Sequence, residues 1–462
     1  MMPVLKERTG AVVSPDAAVT EKWPEEYANT TLIMSRLKPP PECLKNRSRH
    51  FRDDFKKGAE MKSETKSDVD NVALDDVSML HPEQVDVDKH EKIFDYSCGI
   101  SRSKLIQTIK ILRINKLDAK TQESGLGYMQ KVAKLLSCAD ALIDMGLSKV
   151  VVDALRTHPS NADISTISCS LITVLTHIEH VKNAEKSAIV LMRFGAGQAI
   201  MKSMKQNMET EEVQYHGLLA LYNLTYNSER RRTALRNAEG SNAELATLIV
   251  EIMKNHSSKA VQIECCAAIS NFQLQDIEQN KKNFIECQAV ETVADAISEH
   301  GKSEDLVLIA CEGLNIMYES APIPWRDRLG EKVKKMLKEQ LKDNLNSSDS
   351  NIEILRNLLS VLTTYSSHFE NRAKFIESGL DKYVVDAFVV GEQDLKVTRL
   401  ALYLLYLFSF HKKQEAKNFK SLGAVRLVKS AMKNFRDDAY VQNQGRATLQ
   451  LLKKNGKPNR RG

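Results

Sequence analysis

Residues 138–155 read Cys138-Ala-Asp-Ala-Leu-Ile-Asp-Met-Gly146-Leu-Ser-Lys-Val-Val-Val-Asp-Ala-Leu155, and nearly the same phrase returns further on. At 371–388 it is Asn371-Arg-Ala-Lys-Phe-Ile-Glu-Ser-Gly379-Leu-Asp-Lys-Tyr-Val-Val-Asp-Ala-Phe388. A third copy runs Glu415-Ala-Lys-Asn-Phe-Lys-Ser-Leu-Gly423-Ala-Val-Arg-Leu-Val-Lys-Ser-Ala-Met432. In a fourth, Asn280 to Ile297, Gln288 stands where the others have glycine. Looser copies centre on Gly195, Gly240 and Gly330, so neighbouring centres lie 42 to 49 residues apart. A period in that range, filled with helix formers, marks a helical solenoid, because each unit has an apolar face that only its neighbours can cover.

Each unit has the same internal order. A short helix ends at the glycine, whose freedom at positive φ permits a sharp turn. A second helix follows with apolar residues at three- and four-residue spacing, such as Val150, Val151, Ala154 and Leu155. A polar break, His158-Pro159-Ser160-Asn161 in this unit, then leads into a longer and more apolar third helix. The pattern predicts third helices over 164–178, 211–225, 260–274, 305–318, 352–365 and 395–410. A helix apolar on most sides must be covered on most sides. The last of them contains the most apolar run, Leu400 to Phe410, and a helix over 441–454 is expected to cover it. At the other end an amphipathic helix over 101–117, with Leu105, Ile106, Ile109, Leu112, Ile114 and Leu117, is expected to cap the first repeat.

Over residues 120–455 this pattern resembles the armadillo repeat family. Its most specific piece is a third-helix signature close to Ala-Leu-x-Asn-Leu. Here it reads Ala220-Leu221-Tyr222-Asn223-Leu224, Ala268-Ile269-Ser270-Asn271-Phe272 and Gly313-Leu314-Asn315-Ile316. The two-helix HEAT repeat is the near alternative, and the irregular stretch 304–345 could pass for one. The resemblance implies an all-α, right-handed superhelical solenoid of about seven units whose third helices line a concave groove. In that family, groove asparagines hold the backbone of an extended peptide, which suits an amide that both donates and accepts. The matching positions are Thr173, Asn223, Asn271, Asn315, Val361 and Leu407, of which the middle three asparagines keep the amide. The other reading of these asparagines is that they brace their own helices.

Nuclear-import receptors of the family carry a Trp one turn before each groove Asn. Here those places hold Leu219, Ala267 and Cys311, while Trp23 and Trp325 lie elsewhere. A catenin-like groove would be rich in Lys and Arg, whereas these helices offer chiefly Arg356 and Arg399, against Glu264 and Glu312. The expected groove is therefore near-neutral and aromatic, with Tyr215, Tyr222, Tyr226, Tyr318, Tyr365 and Tyr403 as anchors of the kind protein interfaces use. The peptide-groove candidates are Tyr215, Tyr222, Asn223, Asn271, Asn315, Arg356 and Arg399.

Composition fits a helical protein with an aliphatic core: 42% of residues are hydrophobic and only 6% aromatic. The formal charge of +6 is modest, and it is unevenly placed. Arg36 to Lys57 is basic, Asp68 to Glu91 is acidic, and Lys453, Lys454, Lys457, Arg460 and Arg461 make the end basic again. No continuous basic face of the kind nucleic acid requires is apparent, so no nucleic-acid partner is expected. The eight cysteines show no paired spacing and read as core residues in a reducing compartment. Gly195-Ala196-Gly197 lacks the third glycine and preceding strand of a phosphate loop. His177 and His180 have no carboxylate cluster beside them, and His411 is placed to favour a helix C-terminal dipole. No catalytic, cofactor or metal site is therefore expected.

The first eight residues have no apolar signal core, and the run 400–410 is about half the length of a membrane span. The expected setting is the cytoplasm, with the cytoskeleton or cilium as the place of assembly. Four segments are expected: a flexible extension with short linear motifs (1–100), a capping helix (101–118), the repeat domain (119–455) and a basic tail (456–462). In the extension, Trp23, Tyr27, Phe94 and Tyr96 are candidates for docking onto a partner or onto the repeats. The resulting expectation is a protein-binding scaffold or adaptor without catalysis, with ciliary or axonemal assembly as one setting. The alternative is a transport receptor or degradation adaptor that exchanges extended peptides.

Overall fold

In the computed structural model of the chain the described residues are 101–134, 139–177, 181, 184–236, 241–273, 278–319, 321, 323–347 and 350–454, and every regular element among them is an α-helix. Trp23, Tyr27, Phe94, Tyr96 and Gly240 lie outside them. A pair, α1 (Arg102–Ile114) and α2 (Ala119–Ala133), comes first. Then follow the triplets α3 (Ala139–Asp144), α4 (Leu147–Thr157), α5 (Ala162–Leu175) and α6 (Ala184–Arg193), α7 (Ala196–Gln206), α8 (Glu211–Thr225). The next two are α9 (Glu229–Arg236), α10 (Ser241–Asn255), α11 (Lys259–Gln273) and α12 (Glu278–Glu286), α13 (Ala289–His300), α14 (Glu304–Glu319). A second pair, α15 (Ile323–Asn346) and α16 (Ile352–Ser366), interrupts the series. Two triplets complete it: α17 (Phe369–Glu377), α18 (Leu380–Val390), α19 (Leu395–His411) and α20 (Lys413–Ser421), α21 (Ala424–Asn434), α22 (Ala439–Lys454).

The long helices α2, α5, α8, α11, α14, α16, α19 and α22 each pack on the next, which makes the domain an all-α solenoid. Its core is an aliphatic row: Leu171, Leu218, Ile269, Leu314, Leu358 and Leu404 are all fully enclosed. Burying each such side chain contributes about 1.5–3 kcal/mol. The predicted third-helix ranges match α5, α8, α11, α14, α16 and α19 to within a turn. As expected, α22 covers α19, and Thr448 Oγ1 lies 3.4 Å from Leu402 O. Phe410, at the end of α19, stays 66% exposed. The predicted apolar stripe of α1 divides: Leu105, Ile109 and Leu112 face inward, while Ile106, Ile114 and Leu117 are exposed.

The turn chemistry follows the sequence closely. Gly146, Gly195, Gly379 and Gly423 take φ of 84°, 76°, 82° and 84°, and Gln288 takes the same conformation at 71°. That is the left-handed region that glycine enters without a Cβ penalty. Gly330 is different. It lies inside α15, a continuous 24-residue helix in which the first and second helices of the unit are fused. A Cβ there would come within 2.1 Å of Asn371 Oδ1 and 2.3 Å of its Cγ, so this glycine admits a neighbouring helix instead of making a turn. The polar breaks supply N-caps: Asn161 Oδ1 accepts from Ile164 N at 2.9 Å, Asn351 from Glu353 N at 2.9 Å, and Asp394 from Val397 N at 2.8 Å.

Two further polar patterns recur through the stack. Four residues into a long helix, a glutamine turns back to cap the preceding second helix. Gln122 Nε2 donates to Leu112 O (2.8 Å) and Asn115 O (3.1 Å), and Gln214 to Met204 O (3.0 Å) and Asn207 O (2.8 Å). Gln262 donates to Met253 O (2.7 Å) and His256 O (2.6 Å), and Gln442 to Met432 O (2.8 Å) and Phe435 O (3.1 Å). Helices α1 and α2 share this contact, so they are the second and third helices of a repeat. The other pattern ties four successive units each to the one before it. His158 Nε2 donates to Lys116 O at 2.8 Å, Asn207 Nδ2 to Pro159 O at 2.8 Å, His256 Nε2 to Met208 O at 2.7 Å, and His300 Nε2 to Ser257 O at 2.9 Å.

Candidate protein-interaction surface

The candidate asparagines point along the row of third helices, and their amides hold neighbouring helices together. Asn223 Nδ2 donates to Thr173 O of α5 at 3.2 Å, and Asn271 Nδ2 to Thr225 Oγ1 of α8 at 2.8 Å. Asn315 reaches forward, with Nδ2 3.1 Å from Ser360 Oγ of α16, and its Oδ1 is buried without a partner. The bracing is thus between units, not within one helix as the alternative sequence reading had it. Asn271 is buried, whereas Asn223 and Asn315 are half-buried. The other three positions, Thr173, Val361 and Leu407, are core.

The six tyrosines separate by role. Tyr318 and Tyr365 are enclosed and stacked at 4.0 Å, with Tyr318 Oη donating to Tyr365 O (3.1 Å) and Tyr365 Oη to Leu314 O (3.3 Å). Tyr215, Tyr222 and Tyr226 on or beside α8 are half-buried, as is Tyr403 on α19. The rings of Tyr222 and Tyr226 lie 5.5 Å apart, and Tyr215 meets His216 edge-on at 5.2 Å. Tyr222 and Asn223 adjoin in the chain, so α8 gathers three of the seven candidates.

Arg356 and Arg399 are both committed to carboxylates of the following unit. Arg356 Nε donates to Asp394 Oδ1 at 3.0 Å, and its other nitrogens bond Asp394 Oδ2 and Glu353. Asp394 is the N-cap of α19. Burial alone would raise its pKa, but the Arg356 fork and the Val397 N–H outweigh that and hold it below the ordinary value. Arg399 bonds Asp438, which caps α22 through Val441 N at 2.8 Å, and Asp438 is lowered in the same way. These two cations therefore add no free positive charge to the third-helix surface. Glu312 on α14 is pushed the other way, its pKa raised by burial.

The remaining reactive side chains have structural surroundings. Burial pushes the Cys169 and Cys266 thiols up to about 12 and raises Cys265 and Cys311 well above the ordinary thiol value. Such thiols carry almost no nucleophilic thiolate. Gly195 makes the α6–α7 turn, and a Cβ on Gly197 would meet Leu235 at 2.4 Å, so the glycine pair is explained by folding. His411 ends α19 as expected. Its pKa is lowered, by burial and then by Arg372 and Lys412. Among the described residues, no group of three His, Cys, Asp or Glu is placed to hold a metal, and no helix is long and apolar enough to cross a membrane.

One surface was not visible in the linear sequence. Lys413, Lys417 and Lys420 on α20 and Arg426, Lys429, Lys433 and Arg436 on and just after α21 are all exposed. None forms an ion pair with a described residue, and Arg436 Nε instead bonds Lys433 O at 3.3 Å. Spacings of three and four residues set each group on one helix face. That spacing was the available signal, but scattered cations look dispersed until two helices are laid side by side.

No protein-family model matches the chain, and no curated protein matches it. Among solved structures it is similar to an engineered protein from the Northeast Structural Genomics Consortium, at 17% identity and a TM-score of 0.45, covering 56% of this chain and 98% of that one. It is also similar to a chain from a structural study of a phosphorylation switch controlling the interaction between cadherin and beta-catenin. There the identity is 12% and the TM-score 0.39, over 77% of this chain and 84% of the other.

Proposed function

We propose that this chain is a non-catalytic scaffold or adaptor that binds proteins along its row of third helices, centred on Tyr215, Tyr222 and Asn223 of α8. The observation that carries this reading is the half-buried cluster of tyrosines on α8, beside an asparagine at the inter-helix seam. Rigid aromatic groups on a solenoid face provide large contact area at low entropic cost. With Arg356 and Arg399 neutralised, the surface suits an uncharged, aromatic or polar segment better than a strongly acidic one. The resemblance to armadillo repeats supports the same reading, and extends it to permanent assembly in a large cytoskeletal structure such as the ciliary axoneme, with cytoplasmic residence.

Proximity labelling in cells, with the full-length chain and with Tyr222→Ala/Asn223→Ala, tests it. Recovery of cytoskeletal or axonemal proteins, reduced by the double substitution, is the expected result. Import factors and nuclear cargo in their place would overturn the assembly setting. Labelling unchanged by the substitutions would move the working surface off α8.

A further inference from the structure

The seven exposed cations lie on, or just after, α20 and α21, two helices that pack against each other around the Gly423 turn. Leu422, 49% exposed, sits at that turn between Lys420 and Arg426, giving the surface an apolar centre. α21 carries no carboxylate, whereas α13, the second helix of another unit, carries Glu291, Asp295 and Glu299. Seven like charges on two adjoining helices, none of them ion-paired with a described residue, repel one another, and an anionic segment across them relieves that repulsion.

The same chain contains a segment of matching chemistry. Residues 67–88 read Ser67-Asp-Val-Asp-Asn-Val-Ala-Leu-Asp-Asp-Val-Ser-Met-Leu-His-Pro-Glu-Gln-Val-Asp-Val-Asp88, with seven carboxylates, no Lys or Arg, and Val or Leu between the acids. It precedes the first helix pair, whereas the basic surface belongs to the last unit. Seven third-helix steps separate those units, and at about 8–10 Å per step the span is roughly 60 Å. Asp88 is 14 residues before Arg102 and can reach at most about 50 Å from it. The far end of the segment could reach only by giving up most of its chain freedom, which lowers the effective concentration steeply. A second molecule has no such constraint.

We infer that the α20–α21 surface receives residues 67–88 of a second copy of this chain, so that copies associate head to tail. The donor precedes the first helix pair in the sequence and the acceptor belongs to the last unit, so the contact is heterologous and open-ended. The inference stands independently of what the third helices bind.

The test is sedimentation velocity on the full chain and two full-length variants, with helicity checked by circular dichroism. One variant removes the acceptor (K417E/K420E/K429E/K433E), and the other neutralises the donor (D68N/D70N/D75N/D76N/E83Q/D86N/D88N). The wild type should form concentration-dependent oligomers that weaken at least about tenfold in about 1 M salt, where the screening length is ~3 Å. Each variant alone should be monomeric. Mixed, they should give a one-to-one dimer and nothing larger, because one supplies only the donor and the other only the acceptor. A monomeric wild type, variants that associate like the wild type, or a mixture that stays monomeric would each overturn the inference. Binding of RNA or phosphatidylserine vesicles by a monomeric wild type, lost in the acceptor variant, would also overturn it and reassign the surface.

Discussion

Replacing Gly330 with alanine adds one methyl group inside α15, and helix propensity alone makes that a gain of about 1 kcal/mol. The packing of α17 against α15 argues the opposite sign. The new Cβ would sit 2.1 Å from Asn371 Oδ1, 2.3 Å from Cγ and 2.6 Å from Nδ2, all inside the closest approach side chains tolerate. Asn371 is fully enclosed and has no free space to enter. Its Nδ2 donates to Tyr318 Oη at 2.8 Å, Arg326 O at 3.0 Å and Tyr365 O at 3.1 Å, a knot joining α14, α15, α16 and α17. Either the amide swings away, stranding buried acceptors at about 1–3 kcal/mol, or the helices separate at a similar cost in packing. After the propensity gain is credited, Gly330→Ala is expected to destabilise by up to about 2 kcal/mol. Urea unfolding followed by circular dichroism measures this, and hydrogen exchange should show α15 to α17 losing protection first. In an Asn371→Ala background the methyl has room, so the same substitution should become neutral or stabilising. Equal or higher stability for Gly330→Ala alone, or the same cost in both backgrounds, would refute the reasoning.

Gln262→Leu should cost about 2–4 kcal/mol in the same unfolding assay, because it leaves the Met253 and His256 carbonyls without their 2.7 Å and 2.6 Å donors in a buried place. Gln262→Glu, which loses both N–H groups and adds charge, should cost more. With a maleimide under native conditions, Cys287 should label while Cys169, Cys265, Cys266 and Cys311 stay protected until the chain unfolds; rapid labelling of any of those four would contradict their burial. Asp394 and Asp438 have folded pKa values below the ordinary 3.8, so their stabilisation is complete above that pH and is lost as pH falls through the folded values. Arg356→Gln should therefore flatten the acid limb of the stability profile, and an unchanged limb would show that the pair contributes nothing there.

Much of the architecture could be read because the units are punctuated by residues with only one good use. The glycines at 146, 195, 379 and 423 occur where a left-handed turn is needed, and the apolar run after each polar break fixes its long helix, as at Glu211–Thr225. Gly330 misled for a physical reason: glycine serves both a turn and a close helix contact, and the sequence does not say which. A second signal went unread. Gln122-x-x-Gly125, Gln214-x-x-Gly217 and Gln442-x-x-Gly445 repeat the capping glutamine with a glycine one turn on, against Leu112, Met204 and Met432. Histidines that look scattered along the chain become periodic once 158, 256 and 300 are recognised as the ends of second helices. The candidate surface was less legible. Whether an arginine such as Arg356 faces a ligand or the cap of the next unit depends on a carboxylate 38 residues away.

The fused helix α15 has a mechanical meaning. At Gly146, Gly195, Gln288, Gly379 and Gly423 a left-handed residue divides the first helix of a unit from the second, and such a joint lets the angle between two segments change. Residues 323–346 contain none, so they form a strut about 36 Å long at 1.5 Å per residue. A bending load on the solenoid would pass along that strut without being absorbed there. The compliance is left to the jointed units on either side, and α15 becomes the fixed point about which those two portions flex.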